Sequence, residues 1–206
     1  MAKTKKTVKQ SPKADSITNI IITGVGGQGA LSLAVTIAEA AVASGYEVKM
    51  SELHGLAKRF GHLECHIRFG KTVRSSIVPN GEADLVIALE PLESLVMYKY
   101  MDKTRTAVIM DTKKIKPTRM DIERIKYPEI GVIVKTLKTT AKSVETVDAS
   151  EIAKKAVGST IYANIYLLGR AMKKKLIKLD KSKIMNVLKM LPSPEANESV
   201  LKLALK

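Results

Sequence analysis

The stretch Gly24-Val25-Gly26-Gly27-Gln28-Gly29 is the feature that most narrows the folds open to this chain. Before it, residues 18–23 are a short β-branched run that reads as a buried strand. After it, Leu31, Ala34, Val35, Ala38, Ala41 and Val42 recur at helical spacing over residues 30–43, and Gly45 supplies a C-terminal cap. Residues 46–50 read as a second strand. Strand, glycine turn, helix and strand within about 30 residues make a parallel crossover unit. The glycine spacing is that of G-x-G-x-x-G, which has a physical basis. Gly24 permits the tight turn, Gly26 lets a phosphate approach the backbone, and Gly29 lets the helix pack closely. The N–H groups at the start of the helix then favour an anion.

Gly24, Gly26, Gly27, Gln28 and Gly29 are therefore the candidate cofactor-binding residues. A nicotinamide dinucleotide would call for an acid at the end of the second strand, where Lys49 comes first and Glu52 only late. No Walker lysine follows Gly29. Lys49 would suit a 2′-phosphate, so a stand-alone NAD(P)- or nucleotide-binding protein is the alternative reading.

Further along, residues 64–69 alternate, with Cys65, Ile67 and Phe69 on one face and His66 and Arg68 on the other, as in a half-exposed strand. Residues 72–77 are expected to pair with it across Gly70-Lys71. Residues 84–89 and 106–111 read as buried parallel-core strands, and Pro91 opens a helix through about residue 101. Residues 132–134 and 145–148 are shorter strand candidates. From residue 150 onward the pattern is helical, over 150–157, 160–173, 181–190 and 194–205. The expectation is one α/β domain over residues 17–206, Rossmann-like, with a mostly parallel sheet flanked by helices and a helical C-terminal part. Residues 1–16, polar and carrying Lys3, Lys5, Lys6, Lys9 and Lys13, read as a disordered basic tail.

A second polar cluster, Ser51-Glu52-Leu53-His54-Gly55 with Arg59, Gly61, His62 and His66, gathers groups able to move protons or bind anions. Glu52, His54 and Arg59 are the candidate catalytic residues; a loop of mutually satisfied polar groups is the plainer reading. A zinc site would need His54, His62, His66 and Cys65. Adjacent Cys65 and His66 point to opposite faces of a strand, so no metal ligand is assigned. Cys65 is the chain's one cysteine, which excludes a disulfide within the chain and a four-thiolate iron–sulfur cluster built from it alone.

The formal charge of +15 raises the question of a polyanionic partner. Against nucleic acid stand the preference for Lys over Arg, 28 to seven, and an aromatic content of only 4%, which supplies no stacking platform. No apolar run reaches the roughly 18 residues of a membrane span, and no secretory signal opens the chain, so a cytoplasmic protein is expected.

Several motifs in order carry a resemblance. They are Gly24–Gly29 with Ala38-Glu39-Ala40-Ala41, Ser51-Glu52-x-His54-Gly55, Arg59-x-Gly61, His66-x-Arg68, Gly81-Glu82-Ala83-Asp84, Glu90-Pro91-Leu92-Glu93 and Tyr162-Ala163-Asn164 before Leu167-Leu168-Gly169. Together they resemble the gamma domain of the pyruvate and 2-oxoacid ferredoxin oxidoreductases, and most of all its archaeal indolepyruvate branch. The chain departs from the pattern at Phe60 and His62, where that family tends to have glycine and serine. The resemblance implies a subunit, inactive alone, of a complex that oxidatively decarboxylates an aryl 2-oxoacid to an acyl-coenzyme A and passes electrons to ferredoxin. It also implies that thiamine diphosphate and [4Fe–4S] clusters lie mainly on a larger partner subunit.

Overall fold

The computed structural model describes residues 17–55, 61–117, 120 and 122–206. The readings made for residues 1–16 and for Arg59 lie outside them. The chain begins with β1 (Thr18–Val25), α1 (Ala30–Val42), β2 (Glu47–His54) and β3 (His62–Gly70). Next come β4 (Leu85–Ala88), α2 (Pro91–Val96), a 3-10 turn at Met97–Tyr100 and β5 (Ala107–Asp111). Then follow α3 (Ile130–Thr140), β6 (Ser143–Val147), α4 (Ala149–Val157) and a 3-10 turn at Thr160–Tyr162. α5 (Ala163–Lys173), α6 (Lys181–Leu188) and α7 (Pro194–Leu205) complete the helical C-terminal part.

The six strands form one sheet in the order β2-β3-β1-β4-β5-β6. β1, β4, β5 and β6 run parallel, whereas β3 lies antiparallel between β1 and β2. The crossover from β1 through α1 to β2 is parallel as expected, but β3 fills the space between its two strands. The α/β fold holds, with a sheet more mixed than "mostly parallel" implies.

Side chains alternate across this sheet into two cores. Ile20, Ile22, Ile67, Phe69, Leu85, Ile87 and Ile109 face α1 and the C-terminal helices. Ile21, Val86, Ala88, Val108 and Met110 face Met97, Tyr100, Ile133 and Leu137 on the other side. Small residues set the helix spacing. A Cβ on Gly169 of α5 would lie 2.4 Å from the Ala204 Cβ of α7 and 3.3 Å from the Leu201 carbonyl oxygen. Gly169→Ala is therefore expected to lower unfolding stability by about 1–3 kcal/mol, read as a shift in denaturant midpoint at constant m-value.

Three expectations from the sequence are corrected. Residues 72–77 form no strand; they cross the second face of β3. Arg68 Nη1 donates to the carbonyls of Ser75 (3.1 Å) and Ile77 (3.3 Å), and the Val78 N–H donates to His66 Nδ1 (3.0 Å). β3 is thus buried on both faces, with His66 at 0% exposure, because its polar side chains take backbone partners in place of water. Residues 132–134 belong to α3: Ile133 and Leu137 bury one helical face while Val132 stays exposed, so tertiary packing overrides β-propensity. Ser51–His54, read as loop, extend β2 along the sheet edge, paired from Ser51↔His66 to His54↔Leu63.

Candidate functional site

A cavity of about 420 Å³ opens at the carboxyl ends of β1, β4 and β5. Its lining comes from the glycine loop (Val25, Gly26, Gly27, Gln28), from Leu89, from Lys113 and Ile115 after β5, and from Ser150 and residues 159–161 and 163. In open α/β sheets ligands collect at this end, where successive connections leave in opposite directions.

Two residues of the glycine loop adopt conformations that call for glycine. Gly27 (φ +102°) and Gly29 (φ +79°) occupy left-handed conformations that L side chains rarely adopt. A Cβ on Gly24 would come within 2.8 Å of Gln28 Oε1, and one on Gly29 within 2.5 Å of Asn164 Nδ2. Gln28, which lines the cavity, also braces the loop. Its Oε1 accepts the Val25 N–H (2.8 Å) and its Nε2 donates to the Leu89 carbonyl (2.6 Å), tying the ends of β1 and β4 together. The Gly26 N–H donates to the Gly61 carbonyl (3.0 Å), one rung beyond the last β1–β3 pair, Val25↔His62.

Four helices start near this end, and their N-termini differ. α2 is capped by Glu90, whose carboxylate accepts the Glu93 N–H (3.1 Å), and α4 by Asp111, which accepts the Ser150 N–H (3.3 Å) and its hydroxyl. Burial pushes both carboxyls above their ordinary range; Tyr127 donates to Glu90, and Ser150 to Asp111, in opposition. α1 has no side-chain cap and no acid in its first turn, whereas α5 continues from the 3-10 turn capped by Ser159, and Asn164 Oδ1 accepts the Ile165 N–H (2.7 Å) in its first turn. Val25–Gln28, ahead of α1, and Ala163, the first residue of α5, line the cavity, and Lys113 Nζ reaches Thr160 Oγ1 (3.2 Å). The glycine loop ahead of the uncapped α1 and the Lys113 ammonium make the crevice suited to an anion.

Glu52 and His54 do not join this cavity. They are exposed on edge strand β2, two strands from β1, and His54 Nδ1 lies 3.0 Å from the Gly55 carbonyl oxygen. The inserted β3 also moves the end of β2 one strand spacing, about 4.8 Å, away from where a dinucleotide-binding acid would stand. Lys113, Ser150, Ser159 and Thr160 escaped the sequence reading. The signal for Lys113 was its place just past the carboxyl end of a parallel strand.

Beside the glycine loop lies a network the sequence only hinted at. His62 sits between two carboxylates, Nδ1 bonded to Glu93 and Nε2 3.4 Å from Glu64 Oε2. Only the imidazolium can donate at both nitrogens. Glu64 also accepts from His66 Nε2 and from the Tyr100 hydroxyl, both at 3.3 Å. Because His66 Nδ1 accepts the Val78 N–H, its Nε2 carries the proton given to Glu64. Hydrogen bonds to Glu64 and then Glu93 raise the His62 pKa to about 9 against the effect of burial. Burial alone would raise Glu64; its bonds to His62 and His66 outweigh it and hold the carboxyl well below its ordinary range. Cys65, on the opposite face, packs in the core, and burial pushes its thiol up to about 12.

Residues 19–205 match the family model described as pyruvate ferredoxin/flavodoxin oxidoreductase. Among curated proteins, the indolepyruvate oxidoreductase subunit IorB of Archaeoglobus fulgidus is 44% identical over 151 residues, which is 73% of this chain and 74% of that one. The subunit of the same name from Thermococcus kodakarensis is 32% identical over 86% of this chain and 87% of its own. Among solved structures, the pyruvate oxidoreductase subunit PORC of Thermotoga maritima superposes with a TM-score of 0.66 at 19% identity, covering 92% of this chain and 95% of that one. The 2-oxoglutarate:ferredoxin oxidoreductase of Magnetococcus marinus, solved with 2-oxoglutarate, coenzyme A and succinyl-CoA bound, gives 0.67 at 16% identity over 93% of this chain and 31% of that longer one.

Proposed function

Since the chain belongs to the pyruvate ferredoxin/flavodoxin oxidoreductase family, we propose that it serves a complex that oxidatively decarboxylates an aryl 2-oxoacid of the indolepyruvate class to its acyl-coenzyme A. Thiamine diphosphate and the iron–sulfur clusters belong, on this reading, to a larger cytoplasmic partner subunit, which delivers electrons to ferredoxin. One buried cysteine cannot ligate a cluster that takes four thiolates. Among the described residues no helix is long and apolar enough to cross a membrane.

Within that complex the crevice holds an anionic portion of a ligand, and coenzyme A phosphate is the reading we favour. The observation that carries it is the meeting in one cavity of Lys113 with the glycine loop that leads into the uncapped α1. These groups bind and orient without taking part in bond making, so their loss acts on affinity. Lys113→Ala in the purified complex is expected to weaken coenzyme A binding about tenfold, the size of one charge-assisted hydrogen bond, with turnover at saturating coenzyme A unchanged. An unchanged apparent affinity would remove the crevice from the coenzyme A path. Thermal stabilisation of the isolated chain by NADPH, with none by coenzyme A, would favour the nucleotide-binding alternative instead.

A further inference from the structure

No step of the proposed reaction uses His62. Its surroundings are specific nonetheless. It opens β3, paired with Val25 at the end of β1, and the preceding carbonyl, Gly61 O, accepts the Gly26 N–H. Its ring is held from two elements, by Glu64 of β3 and by Glu93 of α2. α2 follows directly from Leu89 and Glu90, and the Leu89 carbonyl holds Gln28. The imidazole therefore closes a ring of contacts that runs from Gly26 through Gly61, His62, Glu93 and Leu89 to Gln28. Both sides of the glycine loop are anchored in that ring.

The loop's geometry is costly to hold without such support. Gly27 and Gly29 sit in left-handed conformations, and glycine surrenders more backbone entropy than any other residue when it is ordered. A buried carboxylate such as Glu64 is retained where its partners compensate desolvation, and three side chains converge on it here.

We propose that His62 is a positioning residue that presets the Gly26–Gly27 wall of the crevice for its anionic ligand, through the Gly61 carbonyl. This rests on the reading of the crevice as a ligand site. The charged and titratable groups around the ring are Glu64 and Glu93 in contact, His66 and Tyr100 behind Glu64, and Lys99 over the Tyr100 ring (4.6 Å). On β2, Glu52 lies opposite Cys65 and His54 opposite Leu63; on β1, the uncharged Val25 is paired with His62. The hydrogen bonds to Glu64 and Glu93 raise the His62 pKa to about 9.

The test uses the full chain in its native complex, with coenzyme A as the probe and the variants His62→Ala and His62→Lys. Hydrogen exchange at Gly26 reads the positioning directly: protection is expected to fall about tenfold in His62→Ala at pH 7. Coenzyme A affinity is expected to fall about tenfold in the same variant. In the unsubstituted complex affinity declines as pH rises through about 9, and His62→Lys moves that decline upward, because an ammonium stays charged longer. Gly26 exchange that ignores the loss of the ring overturns the proposal, whatever coenzyme A does. Should the unsubstituted complex bind no coenzyme A while Gly26 exchange still responds, the ligand reading falls and the positioning role stands.

Discussion

Glu64→Ala is expected to lower unfolding stability by about 3–5 kcal/mol, because it leaves two buried partners without their acceptor. Glu64 is 5% exposed and His66 0%, and the Tyr100 hydroxyl turns to the same carboxylate oxygen. Removing it leaves the His66 Nε2–H and the Tyr100 hydroxyl without their Glu64 bonds and takes one of two counter-charges from His62. In a chain of this size the melting temperature should fall by about 10 °C or more. Glu64→Gln, which keeps an acceptor oxygen and loses the charge, should recover part of the loss.

The network also gives stability a pH profile whose sign can be worked out. His62 is raised from 6.5 to about 9, so its contribution is complete below 6.5 and is lost as pH rises through 9. With about a third of the ring reached by solvent, that contribution is discounted to about 1–2 kcal/mol. Glu64 is held below its ordinary 4.5, so its contribution is complete above that value and lost as pH falls beneath it. Unfolding free energy should therefore be highest between these limits and fall on both sides. In Glu64→Gln the alkaline fall should shrink. Denaturant titrations at pH 6 and pH 9.5 test this; an equal alkaline loss in both proteins would mean that the His62–Glu64 pair contributes little.

Gly29→Ala is the second large effect. The residue precedes α1 at φ +79°, and an added Cβ would meet Asn164 Nδ2 at 2.5 Å. Left-handed backbone costs a non-glycine residue about 1–3 kcal/mol before any clash is counted. Asn164 has little room to yield: its Nδ2 donates to the Gly29 carbonyl (3.1 Å), its Oδ1 accepts the Ile165 N–H (2.7 Å), and it is 5% exposed. The expected loss is about 2–4 kcal/mol, with weaker coenzyme A binding, because the end of the glycine loop moves away from α5 where the loop and Ala163 line the crevice. Thermal unfolding of the complex and coenzyme A titration read the two effects separately. An unperturbed melting temperature would mean that the loop relaxes around the new methyl.

The sequence by itself determined what depends on local chemistry. The glycine spacing fixed a strand–turn–helix unit, because glycine adopts the left-handed conformations at Gly27 and Gly29 without the cost a side chain adds. The apolar runs at Ile20–Ile22 and Leu85–Leu89 specified strands buried on both faces, and Pro91 marked the start of α2. What depends on distant partners was decided in three dimensions. His66 and Arg68 resemble solvent-facing residues until residues 75–78 fold across them. Residues 132–134 have strand-like composition, yet the second core accepts Ile133 and Leu137 only at helical spacing. Gln28 became a brace because Leu89, 61 residues away, presents its carbonyl there. Glu52 and His54 were set apart from the crevice by β3, whose place between β1 and β2 no local pattern announces. Side-chain period and backbone conformation are properties of neighbouring residues, whereas strand order, burial of a polar group and the field in a crevice arise only when remote segments meet.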